Sequence, residues 1–189
     1  MGWGAESSDE ELMLGYRDGD VAAFDLLYTR HKGGVYRYLY RQCRDAAAAE
    51  ELFQDVWMNL IRARAGYTVQ AKFTTYLYRL AHNRLIDHYR KHSQAAVSSF
   101  EDMEETVEDL VDDHALPPDA AHDSREQAQR LLQLLGELPE AQREAFLLQQ
   151  EGGMSVEEIA RATGVSRETA KSRLRYAMSK LREGMREWR

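Results

Sequence analysis

SVEEIARATGVSRETAKSRLRYAMSKL, residues 155–181, places two amphipathic stretches on either side of one glycine. Ser155 and Glu158 have the spacing of a capping box, which predicts the start of a short helix. Ile159 and Ala160 point inward. Thr163-Gly164 supplies a turn, because glycine tolerates positive φ. Val165 plugs between the helices and Ser166 caps the second. In that second helix Ala170, Leu174, Ala177, Met178, Leu181 and Met185 form an apolar stripe, and Glu168, Lys171, Ser172, Arg175 and Ser179 lie opposite. From Arg167 to Arg182 there are six bases and one acid. A helix start presents free N–H groups to a phosphate, and bases in the first two turns can reach guanine edges in the major groove. An αα-hairpin with a solvated basic face would share some of these features. The short first helix, glycine turn and basic second helix together favour a DNA-reading helix-turn-helix.

Working outward, SREQAQRLLQLLGEL is amphipathic, and Pro139 suits the first position of a following helix, PEAQREAFLLQQ, which Gly152-Gly153 ends. Before it lies HSQAAVSSFEDMEETVEDLVDDHALPPDAAHDS. Residues 92–124 hold ten acids and no Lys or Arg, with a Pro117-Pro118 break. This reads as an acidic flexible linker whose charges stretch it. Val107, Leu110 and Val111 leave open a short helix or a docking peptide. The net charge of −7 belongs to this segment. Residues 1–91 are net +1 and residues 125–189 net +2, so both flanks are free to bind a polyanion.

The N-terminal flank is also helical in pattern. Ser8 and Glu11 repeat the capping box, and Gly19-Asp20 marks a break. Phe24, Leu27, Tyr28 and His31 share one side of a second helix. Gly33-Gly34 is expected to loosen that helix, although Val35, Tyr38 and Leu39 continue its stripe. AAAAEELFQDVWMNLIRARA is a strong helix with Ala49, Leu52, Phe53, Val56, Trp57, Leu60 and Ile61 at helical spacing and Glu50, Glu51 and Asp55 on another face. Gly66 marks a loop. KFTTYLYRLAHNRLIDHYRK, residues 72–91, follows and interleaves aromatics with bases. At about 100° per residue, Tyr76, Arg79, Asn83 and Arg90 share a face with Ile86 beside them, and Phe73, Leu77, Leu80 and Ala81 fill the adjoining inner arc. Single-stranded nucleic acid needs such a pairing, since bases stack on rings while cations follow phosphates. Tyr78 and Tyr89 read as packing residues.

No alternating strand pattern or internal repeat is visible. The expectation is an all-α chain: two small helical domains, 1–91 and 125–189, joined by an acidic linker, 92–124, with the helix-turn-helix in the C-terminal one. Cys43 is the lone cysteine, so an intrachain disulfide and a cysteine-built zinc site are excluded. MGWGAESSDEELM is not the pattern of a secretory signal, and no apolar run approaches the ~20 residues of a membrane span.

The whole arrangement resembles a bacterial alternative sigma factor of the extracytoplasmic-function type, over roughly residues 9–91 and 125–186. Three stretches carry it. AEELFQDVWMNL is similar to the family's core-polymerase-binding helix. FTTYLYRLAHNRLIDHYRK is similar to its promoter-melting, minus-ten-reading segment. LPEAQREAFLLQQEGGMSVEEIARATGVSRETAKSRLRYAMSKLR is similar to its minus-thirty-five-reading domain. The resemblance implies that Glu50, Glu51 and Asp55 pair with basic residues of a polymerase coiled coil. Phe53 and Trp57 are shared between that contact and the core. Minus-ten DNA would fall to Arg62, Arg64, Tyr67 and Lys72 of the loop, which hold an extruded base, and to Tyr76, Arg79, Asn83 and Arg90. Base reading in the minus-thirty-five duplex would fall to Arg167, Glu168, Lys171 and Arg175, with Ser172, Arg173 and Arg182 anchoring the backbone. Three departures stand out: alanines at 46–49 where the family often has acids, Tyr76 near where it often has tryptophan, and Glu168 where many members have glycine. The implied partners are core RNA polymerase and promoter DNA, and an anti-sigma factor or other regulator is common in the family. The implied location is the cytoplasm, with no membrane insertion.

A linker of 33 residues spans ~30 Å on average and up to ~110 Å extended, which covers promoter elements one or two turns of ~34 Å apart. The competing readings are a stand-alone helix-turn-helix regulator, which leaves residues 72–91 unexplained, and an enzyme. His88 and His92 have a metal-ligand spacing without an accompanying carboxylate motif. No glycine-rich phosphate loop or Ser/His/Asp array is recognisable. No catalytic residue, metal or cofactor is therefore expected. A membrane-surface helix at 72–91 is disfavoured because its bases are spread over both faces.

Overall fold

The computed structural model describes residues 2–92 and 118–187, with side chains from 123 onward in the second segment. Among these residues there are eight α-helices, one 3-10 turn and no strand: α1 (Asp9–Arg17), α2 (Val21–Cys43), α3 (Ala46–Ala63), the turn Arg64–Gly66, α4 (Phe73–His92), α5 (Pro118–Glu137), α6 (Glu140–Gly152), α7 (Val156–Thr163) and α8 (Arg167–Glu187). The fold is all-α, with two helical units, as the periodicity predicts. Residues 93–117, including Val107, Leu110 and Val111, lie outside the described residues. Helix α5 starts at Pro118, seven residues inside the stretch read as linker. Pro at a helix start loses nothing by lacking an N–H.

Local chemistry sets the helix ends. The Ser8 hydroxyl accepts from the Glu11 N–H at 3.2 Å, and the Glu11 carboxylate accepts from the Ser8 N–H at 2.9 Å. Gly19, at φ 107°, turns the chain so that Asp20 can cap α2. Asp45 caps α3. Helix α4 receives its cap from another helix: the Phe73 N–H donates to the Glu10 carboxylate of α1 at 2.7 Å. Arg30 fastens the N-terminal arm by donating to the carbonyls of Gly4, Ala5 and Ser7. In the second unit the Ser155/Glu158 box opens α7, Gly164 at φ 70° ends it, and the Ser166 hydroxyl caps α8 by accepting from the Thr169 N–H at 3.1 Å. Pro139 stands one position earlier than expected, as the residue before α6, and Gly153 closes that helix in the left-handed region.

Helix α2 runs unbroken through Gly33-Gly34, contrary to the expected loosening. The reason is packing. A Cβ on Gly34 would lie 2.7 Å from the Tyr78 hydroxyl and 3.2 Å from the Glu151 carbonyl. Glycine here admits α4 and α6 to the surface of α2, and that burial outweighs its helix cost of about 1 kcal/mol.

The core is continuous across the two units. Leu12, Leu27, Val35, Leu39, Val56, Leu60, Phe73, Leu77 and Leu85 of the first join Leu147, Leu148, Met154 and Ile159 of the second. A smaller cluster, Leu134, Leu135, Leu138, Ala177 and Leu181, holds α5 on α8. The units also meet along a polar seam where α6 packs on α2 and α7 on α4. Glu151 accepts from Arg37 and from Arg41, each at 2.8 Å. One oxygen of Glu144 takes the Tyr38 hydroxyl at 2.6 Å and faces Nδ1 of His82 at 2.5 Å. Buried Arg143 donates from Nε to the side-chain oxygen of Gln42 at 2.8 Å, and Tyr89 donates to the Gln42 carbonyl at 3.0 Å.

Candidate nucleic-acid interface

The loop after α3 and the first turns of α4 border an open cavity of about 690 Å³. Tyr67, Thr75, Tyr76 and Arg79 line it, together with Gly66, Gln70 and, from α7, Arg161. The Tyr67 and Tyr76 rings meet edge-on, centroids 5.2 Å apart. The loop is held by Arg17, which donates to the Tyr67 carbonyl at 3.3 Å, and by the Glu10 cap on α4. The hydroxyls of Tyr67 and Thr75, two of the residues that line the cavity, are buried and have no hydrogen-bond partner among the described residues. A buried polar group without a partner costs about 1–3 kcal/mol. Burial, reinforced by the negative charge of Glu10, pushes the Tyr67 phenol up to about 12, so it remains an O–H donor at neutral pH. Burial also raises the Tyr76 phenol.

Of the residues expected here, the structure gathers Tyr67, Tyr76 and Arg79 at the cavity. Lys72 follows the lining residue Ala71 and reaches Glu158 of α7 at 3.0 Å. Arg62 is exposed outside the cavity lining, and Arg64 turns away onto the Tyr16 ring, 5.0 Å from its centroid. Asn83 and Arg90 are exposed further along α4. Thr75 was missed, although it stands four residues before Arg79 and so shares its helical face. Arg161 was also missed, and its place at the cavity depends on a contact that only the folded chain makes.

Helix α3 turns Glu50, Glu51, Gln54, Asp55 and Met58 to solvent, and Met58 keeps 44% of its surface exposed. Beneath them Trp57 is only 4% exposed. It is wedged edge-on against Phe24, Tyr28 and Phe53, with centroids 6.0, 5.0 and 6.2 Å away. Phe53 is half-buried at the border of this layer. The acidic face therefore rests on a rigid aromatic bed.

On α8, Arg167, Glu168, Lys171, Arg175 and Arg182 are exposed, while Ser172 and Arg173 are half-buried. Arg167 pairs with Glu157 of α7 at 2.5 Å, tying the two helices of the motif across their turn. The Arg175 guanidinium lies over the ring of its neighbour Tyr176, 5.1 Å from the centroid. The rings of His88 and His92 meet at a tilt, with centroids 4.1 Å apart. No third ligating side chain joins them, and no group of three or more such side chains occurs among the described residues. No described helix is long and apolar enough to cross a membrane.

An acidic helix face, a ring-lined cavity beside cations and a basic helix-turn-helix define a nucleic-acid-handling protein with a protein-docking surface. Comparison with known proteins carries the assignment further. The family model Sigma-70 region 2 matches residues 27–95, and Sigma-70, region 4 matches residues 128–181. The sigma factor CarQ of Myxococcus xanthus is 34% identical over 170 residues, covering 89% of this chain and 92% of that protein. The extracytoplasmic-function sigma factor RpoE of Cereibacter sphaeroides is 32% identical over 178 residues, covering 92% and 93%. The chain belongs to the extracytoplasmic-function sigma factors, non-catalytic RNA polymerase subunits that act in transcription initiation. Two solved structures share the fold. CnrH in complex with the cytosolic domain of CnrY has a TM-score of 0.65 at 21% identity, covering 94% of this chain and 96% of that one. The sigma factor RpoE of Bartonella quintana with the anti-sigma factor NepR has a TM-score of 0.66 at 20% identity, covering 86% and 96%.

Proposed function

We propose that this sigma factor docks on core polymerase through the outer face of α3, melts and reads the minus-ten element with the cavity and α4, and grips the minus-thirty-five duplex with α8. Residues 1–91 serve as domain two and the helices from α5 onward as domain four. In the first contact Glu50, Glu51 and Asp55 supply charge and Met58 an apolar anchor, while Trp57, buried under them, keeps the face flat and rigid. In the second, an extruded base enters the cavity against Tyr67 and Tyr76, and Arg79, Asn83 and Arg90 follow the phosphates. In the third, Arg167, Glu168, Lys171 and Arg175 face the major groove, where Glu168 can accept from a cytosine amine.

The observation that carries this reading is the cavity, with two buried hydroxyls lacking partners beside Arg79. A base stacked on an aromatic ring gains about 1–3 kcal/mol, comparable to the few kcal/mol needed to unstack it. Binding energy alone can thus open a short segment, with no nucleotide hydrolysis. The relatives CnrH and RpoE were solved with the protein partners CnrY and NepR, and this chain likewise takes a protein regulator in our reading. Its place of work is the cytoplasm, with the polymerase. The test is transcription by purified core enzyme on genomic DNA with and without this chain. New RNA 5′ ends at a defined set of positions are expected; no change in start sites refutes the assignment.

A further inference from the structure

Two carboxylates hold Arg167 of the helix-turn-helix. Its Nε donates to Oε1 of Glu157 on α7 at 2.5 Å, and its Nη1 approaches Oε1 of Glu168 on α8 at 3.4 Å. The bond to Arg167 keeps the Glu157 carboxyl below its usual range, and the same bond raises the guanidinium. Guanine is read by two neighbouring donors on one guanidinium edge, Nε with Nη2 or Nη1 with Nη2. Each of those edges of Arg167 already has a nitrogen engaged. Arg175 differs. Tyr176 holds its guanidinium by the face, 5.1 Å from the ring centroid, and a planar fork held that way keeps its edge donors for a base. Exposed ion pairs add little to stability, so the main consequence of the Glu157–Arg167–Glu168 bridge is orientation. Its three charges sum to −1, two acids against one base. Glu168 is the most exposed of them, at 78% against 54% for Arg167 and Glu157. A carboxylate there repels a phosphate and accepts from a base amine. In the major groove cytosine offers its amine alone, whereas adenine sets the N7 acceptor beside its amine. Guanine and thymine present acceptors and no donor.

We propose that Arg167 is a positioning residue rather than a base reader: anchored on Glu157, it aims Glu168 at a cytosine, so that one position of the upstream element must be a C·G pair. The proposal rests on the reading of α8 as the helix that enters the major groove. The brace crosses the turn of the motif and fixes Glu168 relative to both helices. A free glutamate loses rotamer freedom when it meets a base, and a braced one has already lost it. A charged acceptor meeting a single donor favours that base about tenfold. Orientation by the brace supplies about threefold of this.

The test uses holoenzyme reconstituted from core polymerase and the full chain. A promoter found by mapping RNA 5′ ends on genomic DNA is rebuilt with its minus-thirty-five segment randomised, and the transcribed templates are sequenced. Wild type should favour cytosine about tenfold at one position of one strand. Glu168→Ala should erase that preference and leave the other positions alone. Arg167→Ala and Glu157→Gln should each reduce it about threefold, at the same position. Should Arg167→Ala lose helicity by circular dichroism, Glu157→Gln carries the same expectation. Loss of a guanine preference at a different position in Arg167→Ala would make Arg167 a base reader and overturn the proposal. A cytosine preference that survives Glu168→Ala, or that both brace variants leave intact, overturns it too. Arg175→Ala separates this proposal from the reading beneath it. If Arg175→Ala changes the selected sequence and Glu168→Ala does not, the positioning role falls and the reading of α8 stands. If neither changes it at any position, the reading of α8 falls as well.

Discussion

Removing the Tyr67 hydroxyl should make the protein more stable and its function worse. The oxygen is buried with no partner among the described residues, as is that of Thr75. Such a group carries a desolvation cost of about 1–3 kcal/mol that phenylalanine does not. Taking the lower end of that range, the gain is about 1 kcal/mol. For a chain of 189 residues that corresponds to a rise in melting temperature of roughly 2–4 °C. The ring itself, 5.2 Å from Tyr76, is kept, so the aromatic wall survives. If an extruded base takes the hydroxyl as a hydrogen-bond donor, its loss weakens the melted complex by about 1 kcal/mol, roughly fivefold. Thr75→Val, which keeps the side-chain shape, should show the same pair of opposite signs.

The assays are thermal unfolding of the isolated chain and permanganate footprinting of melted promoter in the holoenzyme. A fall in melting temperature would mean that the hydroxyl has a structural role after all. Unchanged melting of the promoter in both variants would remove the cavity from the mechanism. Stability and activity moving down together would indicate simple damage, and the argument from partnerless hydroxyls would fail.

Three further outcomes follow from the surfaces. Glu51→Lys with Asp55→Lys changes two exposed side chains of α3, so the fold should persist while competition for core polymerase is abolished. Arg175→Ala removes an exposed guanidinium at the proposed base-reading face. Promoter-dependent transcription should fall by about 1–3 kcal/mol, with core binding unchanged by pull-down. Asp9 offers a pH test. Burial opposes its charge, but hydrogen bonds from His31 and Arg30 outweigh that and leave its carboxyl below the usual range. A carboxylate with a depressed folded pKa stabilises above its unfolded pKa and loses that contribution as pH falls through the folded value. Asp9→Asn should therefore lower stability to urea at neutral pH, and the gap to wild type should close as the pH drops below the carboxylate range.

Local chemistry was easy to read in this chain, and long-range chemistry was not. The two capping boxes, the Gly164 turn and the Ser166 cap need only residues within four positions of one another, and each stands where the spacing puts it. The acidic face of α3 and the basic face of α8 follow from periodicity in the same way. The cap on α4 did not, because Glu10 lies 63 residues before the N–H it accepts from. Gly34 misled for a related reason: glycine reads locally as weakness, and here it is the contact point of three helices. Arg64 reads locally as a loop cation, and its seat over the Tyr16 ring depends on α1, far away in the chain. Glu144 and Glu151 were invisible as a pair of clasps, since their donors sit about a hundred positions away in the chain.

Helix α4 shows why aromatics and bases alternate in residues 72–91. At about 100° per residue three arcs separate. Phe73, Leu77, Ala81 and Leu85 fall together and are buried in the core. Tyr76, Arg79, Asn83 and Arg90 fall together on the side that carries the cavity wall and the solvent-facing cations. Tyr78, His82 and Tyr89 occupy a narrow arc between the core and Thr75. They meet domain four: Tyr78 beside Gly152, His82 on Glu144 and Tyr89 on the Gln42 carbonyl beside Arg143. In the proposed reading, single-strand binding accounts for the second arc only. The third arc packs against the second unit, so one helix holds both the proposed reading face and the surface on which α6 and α7 rest. Thr75 borders both arcs, which brings α7 of the docked domain to the edge of the cavity. A substitution confined to the third arc, such as His82→Ala, should therefore weaken the seam with α6, read as a lower melting temperature, while leaving the proposed reading face intact.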